Sequence, residues 1–318
     1  MVDSSPSDLP PSGDRQGPKG VDPRAMRRWR ERLAGARQQP WLHDEIASRM
    51  AQRLPIIRRA PSRALLWPQA SASASSLVHA VWPQCECWGI HEPSVDRPEP
   101  QALTWWERCT LWLTRRGRRT TASQSIGVND ITPASVDMVW SPLHVHAHAN
   151  PPDLMRQWLR ALTVEGFLMF STWGPGSLPE LRTLYGRRGF GPAMAEWVDM
   201  HDWGDLLVQV GFADPVMDQE MLTLTFSTPE SALAELRALG GNTHPHRFPG
   251  LRSRKWRDGL LEDLRELGRQ RADGRIPLSF EVVYGHAFKP QARFAVSAET
   301  RVDAEQLRQA ARAARSVT

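Results

Sequence analysis

Cysteine is scarce in this chain. Only Cys85, Cys87 and Cys109 occur in 318 residues, too few to build a disulfide framework. Long apolar runs are missing as well. The first 21 residues are dominated by Ser, Pro, Gly and Asp and hold no apolar segment of the kind a secretory leader needs. The longest uncharged stretch, Ala64 to Cys85, is broken by Pro68, Gln69, several serines, His79 and Pro83, so it is not suited to spanning a bilayer. No internal repeat is visible. These absences point to a cytosolic protein without a membrane segment.

What is present reads as an ordinary globular composition. Hydrophobic residues make up 41% and charged residues 24%, which excludes wholesale disorder. The length suffices for one large domain or two small ones. The net charge of +5 is too mild to indicate nucleic acid, and a nucleic-acid partner is not expected. The basic residues do cluster: Arg24, Arg27, Arg28, Arg30 and Arg32; Arg115, Arg116, Arg118 and Arg119; and Arg252, Arg254, Lys255 and Arg257. Each cluster suits a solvated face or an acidic partner.

Residues 1–22, rich in Pro and Ser, read as a disordered tail. The spacing predicts helices over 24–37 and 41–54, with Pro40 between them and Pro55 as a stop. Strands are predicted at 63–67, 85–90, 136–140, 167–172, 222–226 and 280–284. Helices fall near 73–82, 103–113, 152–162 and 202–210. Short apolar strands separated by helices imply βαβ units, hence a mainly parallel sheet covered on both faces. Further on, Thr228 is placed to cap a helix that opens with Pro229 and stops at Gly240–Gly241. Trp256, Leu260, Leu261, Leu264 and Leu267 form another amphipathic stripe. After Pro290 an Ala/Arg-rich helix is expected.

From Val136 onward the chain carries a run of ordered motifs. Val136-Asp-Met-Val-Trp-Ser141 is followed by Leu154-Met-Arg-Gln-Trp-Leu-Arg-Ala-Leu162 and Glu165-Gly-Phe-Leu-Met-Phe-Ser-Thr172. This resembles the fourth strand, helix and fifth strand of class I methyltransferases. Four further segments narrow the likeness: Gly174-Pro-Gly-Ser-Leu-Pro-Glu-Leu-Arg182, Asp199-Met-His-Asp-Trp-Gly-Asp205, Gly211-Phe-Ala-Asp-Pro-Val-Met-Asp218 and Leu222-Thr-Leu-Thr-Phe226. Together with Ile276-Pro-Leu-Ser-Phe-Glu-Val-Val-Tyr-Gly-His-Ala287 they resemble the biotin-synthesis malonyl-[acyl-carrier protein] O-methyltransferases. The likeness covers roughly residues 24 to 290. It implies an α/β, Rossmann-like class I methyltransferase fold over 23–290. A helical cap is expected at 23–57, an antiparallel final strand at the far end, and a C-terminal helical tail at 291–318. It also implies methyl transfer from S-adenosylmethionine to the free carboxylate of a malonyl thioester on acyl carrier protein. That chemistry is mainly positioning, since a carboxylate is already a nucleophile. Acyl carrier proteins are acidic, so Arg252, Arg254, Lys255 and Arg257 become the expected partner-binding residues.

The resemblance places cofactor contacts at Trp67, Ala70, Ala72, His91, Glu92 and Ser141, and several of these depart from the family pattern. Where the family has an acidic residue and a Gly-x-Gly-x-Gly turn, this chain has Leu66 and then Pro68, Ala70 and Ala72. Proline lacks an N–H, and alanine resists the positive φ that glycine allows. The ribose-gripping aspartate falls on His91, with Glu92 one step on and, by strand alternation, on the opposite face. Asp130 lies too near Asp137 to replace the family's adenine-side acid, and the cap tyrosine falls on Ala36. Two or three lost hydrogen-bond sets, each worth about 1.5–3 kcal/mol to a charged partner, weaken binding by roughly a thousandfold or more. The family reaction is therefore the leading expectation. A non-catalytic paralogue that keeps the fold and carrier-protein binding is the alternative.

Other candidate chemistry is weaker. His144, His146 and His148 alternate, as zinc ligands on one face of a strand would, but no metal site is expected there or at Cys85, Cys87, Cys109 and His91. Asp199, His201, Asp202 and Asp205 read as a capped helix start rather than a substrate-facing cluster. Trp105, Trp106 and Trp112 read as core or lid packing. Ser177 is not expected to be a catalytic serine, for want of a strand–elbow–helix pattern around it.

Overall fold

The computed structural model describes residues 21–35, 40–68, 72–91 and 124–291. The expected N-terminal tail, the helix at 103–113, the second arginine cluster, Ala36, Cys109 and the C-terminal helical tail all lie outside these residues.

Among the described residues the strands are β1 (Arg63–Leu66), β2 (Glu86–His91), β3 (Gln124–Gly127), β4 (Val136–Ser141), β5 (Leu162–Trp173), β6 (Ala213–Phe226) and β7 (Ile276–Phe288). The helices are α1 (Pro23–Gly35), α2 (Trp41–Arg53), α3 (Ala72–Val81), α4 (Pro151–Ala161), α5 (Pro179–Arg188), α6 (Met200–Val210), α7 (Pro229–Ala238) and α8 (Arg254–Arg269). One seven-stranded sheet runs in the order β3-β2-β1-β4-β5-β7-β6. β1 to β5 pair in parallel, while β7 is antiparallel to both β5 and β6. This is the sheet of a class I methyltransferase, with the antiparallel strand that the sequence implied. The sequence missed β3 and α5, and its strands at 222–226 and 280–284 are much longer in the structure.

Strand alternation sorts the core into two layers. Ala64, Leu66, Met138, Trp140, Phe167 and Met169 face α2, α3, α5 and α8. Leu65, Trp67, Val139, Leu168 and Phe170 face α4 and α6. Both faces are apolar because both are covered, which is why these strands read as near-continuous hydrophobic runs.

The cap is bound to the rest by polar and apolar contacts. Arg49 on α2 pairs with Glu220 on β6 at 2.7 Å, and Arg53 reaches Asp218 at 2.8 Å while lying 3.9 Å above the Tyr284 ring. On α1, otherwise strongly charged, Met26 and Trp29 are buried. The Trp29 indole fits against Gly240, just past α7. A Cβ at Gly240, whose φ is +120°, would stand 2.5 Å from Trp29 Nε1, so only glycine fits there.

Candidate functional site

In an open parallel sheet, ligands bind outside the carboxyl ends of the strands at the point where strand order reverses. Here that point lies between β1 and β4. Trp67 and Pro68 follow β1, His91 ends β2, Ser141 ends β4 and Trp173 ends β5.

On the β1 side the predicted positions offer little to a cofactor. Leu66 is fully buried and apolar where an acid is needed. Trp67 directs its N–H to Trp140 O at 2.8 Å, and its indole is buried with its centroid 6.3 Å from Trp158. It packs the core rather than lining an open site. Pro68 has no N–H to give. Ala72 is the first residue of α3, and His91 pairs with Gly127 at the end of β2. Ala70 and Glu92 lie outside the described residues. The described residues of this turn therefore do not fit the usual adenosylmethionine cradle.

The β4 and β5 side is different. Ser141 and Thr172 are fully buried, and the hydroxyls of both have no hydrogen-bond partner. The chain then forms a 3-10 turn at Val145–Ala147. His144, His146 and His148 therefore do not alternate along a strand as the sequence had it. His146 is buried among three indoles, its ring centroid 5.9 Å from Trp29, 6.1 Å from Trp173 and 6.4 Å from Trp197. Its Nδ1 is unpartnered, and so is Nε2 of His43 on α2. Burial holds the His43 imidazole down to about 4. Burial first, and then the nearby His43 and His144, hold His146 well below the ordinary range. Both are neutral at pH 7, and a neutral imidazole can present an N–H to an anion. Among the described residues no group of three or more His, Cys, Asp or Glu is arranged to hold a metal ion.

His43 and Trp29 were missed in the sequence, although a signal existed. His43, Ile46, Ala47 and Met50 fall on one helical stripe, where a lone imidazole among apolar residues marks a buried polar group. Trp29 interrupts an arginine-rich helix in the same way.

Next to this packed cluster lies a largely apolar cavity of about 170 Å³ between α5, α7 and α8, walled by Trp173, Leu181, Trp197, Leu236, Trp256 and Phe280 among others, with Arg237 and Asn242 as polar members of the lining. The 174–182 motif builds part of that wall. Ser177 Oγ donates to Gly174 O at 2.9 Å and accepts from Glu281 N at 3.0 Å. Gly176 N donates to the Glu281 carboxylate. A Cβ at Gly174 would stand 2.5 Å from the Glu281 carboxyl carbon. A strand, a turn and a helix do surround Ser177, contrary to the sequence expectation, but its hydroxyl is fully buried and engaged in this knot. Asp199 caps α6, accepting from His201 N at 2.8 Å, as its sequence position indicated. That bond from the backbone N–H is the chief reason its carboxyl is held below the usual range.

The basic cluster at α8 divides. Arg252 points inward, donating to Phe190 O at 2.6 Å and lying 4.1 Å over the Phe248 ring. Arg254, Lys255 and Arg257 are exposed in the first turn of α8. Cations there oppose the helix dipole, so their presence is not explained by helix stability.

No family model matches the sequence. Curated relatives do. The malonyl-[acyl-carrier protein] O-methyltransferase of Laribacter hongkongensis is 35% identical over 264 residues, covering 79% of this chain and 84% of its own. That of Gallionella capsiferriformans is 34% identical over 281 residues, covering 86% and 93%. That of a Methylovorus species is 31% identical over 279 residues, covering 87% and 92%. Among solved structures, the phosphoethanolamine N-methyltransferase 2 of Haemonchus contortus with S-adenosyl-L-methionine is a looser likeness. Its TM-score is 0.42 at 15% identity, over 83% of this chain and 57% of its own.

Proposed function

The chain belongs to the malonyl-[acyl-carrier protein] O-methyltransferase family, and from that premise we propose that it esterifies the free carboxylate of malonyl-acyl carrier protein in biotin synthesis. S-adenosylmethionine supplies an electrophilic methyl group in that reaction. The carboxylate needs no base, so the protein's task is to hold the acceptor, exclude water and orient one oxygen. The observation that carries this reading is the match to relatives of that name along most of both chains. The buried hydroxyls of Ser141 and Thr172, which have no hydrogen-bond partner at the carboxyl ends of β4 and β5, accord with a ligand site at that edge of the sheet.

Arg254, Lys255 and Arg257 are the residues proposed to meet the acidic carrier protein. Arg252 supports their position from below by holding Phe190 and Phe248. A cytosolic site of action accords with a carrier-protein substrate. No described helix is long and apolar enough to cross a membrane.

Leu66 and Pro68 favour a second reading, a relative that binds the acyl carrier protein without transferring a methyl group. Calorimetric titration with S-adenosylmethionine and S-adenosylhomocysteine separates the two. Mass analysis of malonyl-acyl carrier protein after incubation with protein and donor completes the test. Micromolar binding and a methyl ester establish the transferase. No binding up to millimolar ligand, on folded protein, establishes the second reading.

A further inference from the structure

The cavity between α5, α7 and α8 has an apolar floor and a polar rim. Trp173, Leu260 and Phe280 are buried, whereas Arg237 is exposed and Asn242 half-buried, so the polar pair marks the mouth. Arg237 is the one charged side chain in the lining among the described residues. Other arginines of the surrounding helices are paired: Arg188 with Asp263 at 2.5 Å, Arg265 with Glu230 at 3.2 Å and Arg269 with Glu262 at 2.7 Å. The Arg237 guanidinium has no such acid among the described residues. Asn242 is fixed by its own bonds, since Nδ2 donates to Pro192 O at 2.7 Å and Oδ1 accepts from His244 N at 2.9 Å. One N–H of its amide is left over. The last carbonyls of α7 oppose an anion there only weakly, because Glu235 O, Leu236 O and Arg237 O already accept from the N–H groups of Leu239, Gly241 and Gly240.

Size narrows the occupant. An engineered cavity of about 150 Å³ holds one benzene, so a space of about 170 Å³ takes an apolar body of roughly six to eight carbons. A malonyl group has a single methylene between its carbonyls and would leave most of the aromatic and leucine lining uncovered. The acceptor of the reaction proposed above therefore does not account for this cavity. Charge narrows the occupant further. An apolar pocket with a few placed polar groups orients its ligand through them. One guanidinium and one spare amide N–H match a single carboxylate, which arginine binds through two parallel N–H···O bonds. The lining offers no second cation for a dianion.

We propose that this cavity binds a free monocarboxylate with an apolar body of roughly six to eight carbons, its tail against Trp173 and Phe280 and its carboxylate on Arg237 at the mouth, beside Asn242. Such a ligand is chemically distinct from a malonyl thioester, and the site does not depend on the transferase reading. Trp197 and Trp256, in the walls, report its arrival through their fluorescence.

The test needs neither methyl donor nor carrier protein. Octanoate, octanamide, propanoate and malonate are titrated into the intact protein, with binding followed by calorimetry and tryptophan fluorescence. Octanoate is expected to bind at least about tenfold more tightly than octanamide, the worth of hydrogen bonds to one charged group. It should bind at least about a hundredfold more tightly than propanoate, since each buried methylene contributes about fourfold. Malonate should behave as propanoate does. Arg237→Gln, at an exposed position, should lower the octanoate affinity to that of octanamide and leave octanamide binding unchanged. Leu236→Trp, which fills the cavity, should abolish binding of both, and Leu233→Phe provides the readout if that variant does not fold. Equal affinity for octanoate and octanamide, octanoate binding indifferent to Arg237→Gln, or binding that survives a filled cavity in a folded variant would overturn the proposal. Malonate binding as tight as that of octanoate would overturn it too and return the cavity to the acceptor. Octanoate binding by a protein that transfers no methyl group would remove the transferase reading and leave this site standing.

Discussion

The Tyr284 hydroxyl donates to Glu220 at 2.6 Å, and the other oxygen of the same carboxylate takes Arg49 of the cap at 2.7 Å. A residue in the centre of β7 is thereby linked to α2 through a residue of β6. Burial, and then the bond to Glu220, push the Tyr284 phenol far above its ordinary range, so it remains a donor at any physiological pH.

Tyr284→Phe should cost about 1.5 kcal/mol in urea unfolding, the low end for a hydrogen bond to a charged group that keeps its other partners. Arg49→Ala combined with it should show coupling, since both act on Glu220. Strict additivity would mean that the cap is held by its apolar face alone.

The knot around Glu281 gives a steric prediction. Gly174→Ala puts a methyl group 2.5 Å from the Glu281 carboxyl carbon and should destabilise by about 1–3 kcal/mol, as overpacking does. Ser177→Ala should cost a similar amount, because Glu281 N is left without its acceptor. If Ser177 is structural, the residual rate per folded molecule is unchanged in that variant.

The cap histidine predicts a pH dependence. His43 titrates near 4 when folded and near 6.5 when unfolded. Between those values the unfolded chain binds the additional proton, so stability falls as pH falls. The contribution is fully present above about pH 6.5 and amounts to a loss of about 2 kcal/mol at pH 5. Unfolding free energies of wild type and His43→Gln, measured at pH 7.5 and 5, should diverge by that amount. Parallel curves would place the His43 imidazole in contact with water.

At α8 the expected effect is kinetic. Arg254→Glu with Lys255→Glu should slow association with malonyl-acyl carrier protein and flatten its salt dependence. Arg252→Glu should instead lower stability, through loss of the bond to Phe190 O and the stacking on Phe248. An unchanged association rate in the double variant would remove α8 from the docking surface.

The donor side can be tested by restoration. Glycine at positions 68, 70 and 72, together with His91→Asp, should tighten S-adenosylmethionine binding by at least about tenfold in calorimetry, since each regained contact with a charged partner is worth about 1.5–3 kcal/mol. No gain would mean that the pocket beyond the β1 turn is closed.

Much of the fold was legible because its determinants are local. The apolar runs at 63–66 and 136–141, the Thr228 cap with Pro229, and the Asp199 cap each signal themselves within a few residues. β3 was not legible: Gln124–Gly127 carries little hydrophobic pattern and is a strand because β2 offers it an edge. α5 was hidden inside a motif full of Gly and Pro, whose turn depends on Glu281, about a hundred residues later. The three histidines after β4 looked like a strand because alternation is also compatible with a tight turn. On the site, the motifs identified the family, but the cluster around His146 joins residues from α1, α2, the turn after β4 and the end of β5. No sequence window contains such a set. The inward turn of Arg252 was equally invisible, since a run of four cations looks uniform until Phe190 and Phe248 come beneath one of them.

Trp29 and Gly240 form a lock whose two halves lie over two hundred residues apart. The indole that packs against His146 also occupies the place of the missing Cβ beyond α7, the helix that supplies Leu236 to the cavity. The packing around His146 and one wall of the cavity are therefore one mechanical unit. In building chimeras between this chain and a relative, positions 29 and 240 have to travel together. A cap transplanted without its glycine meets a side chain where its tryptophan must go, and the cavity beside α7 is deformed even if every residue lining it is preserved.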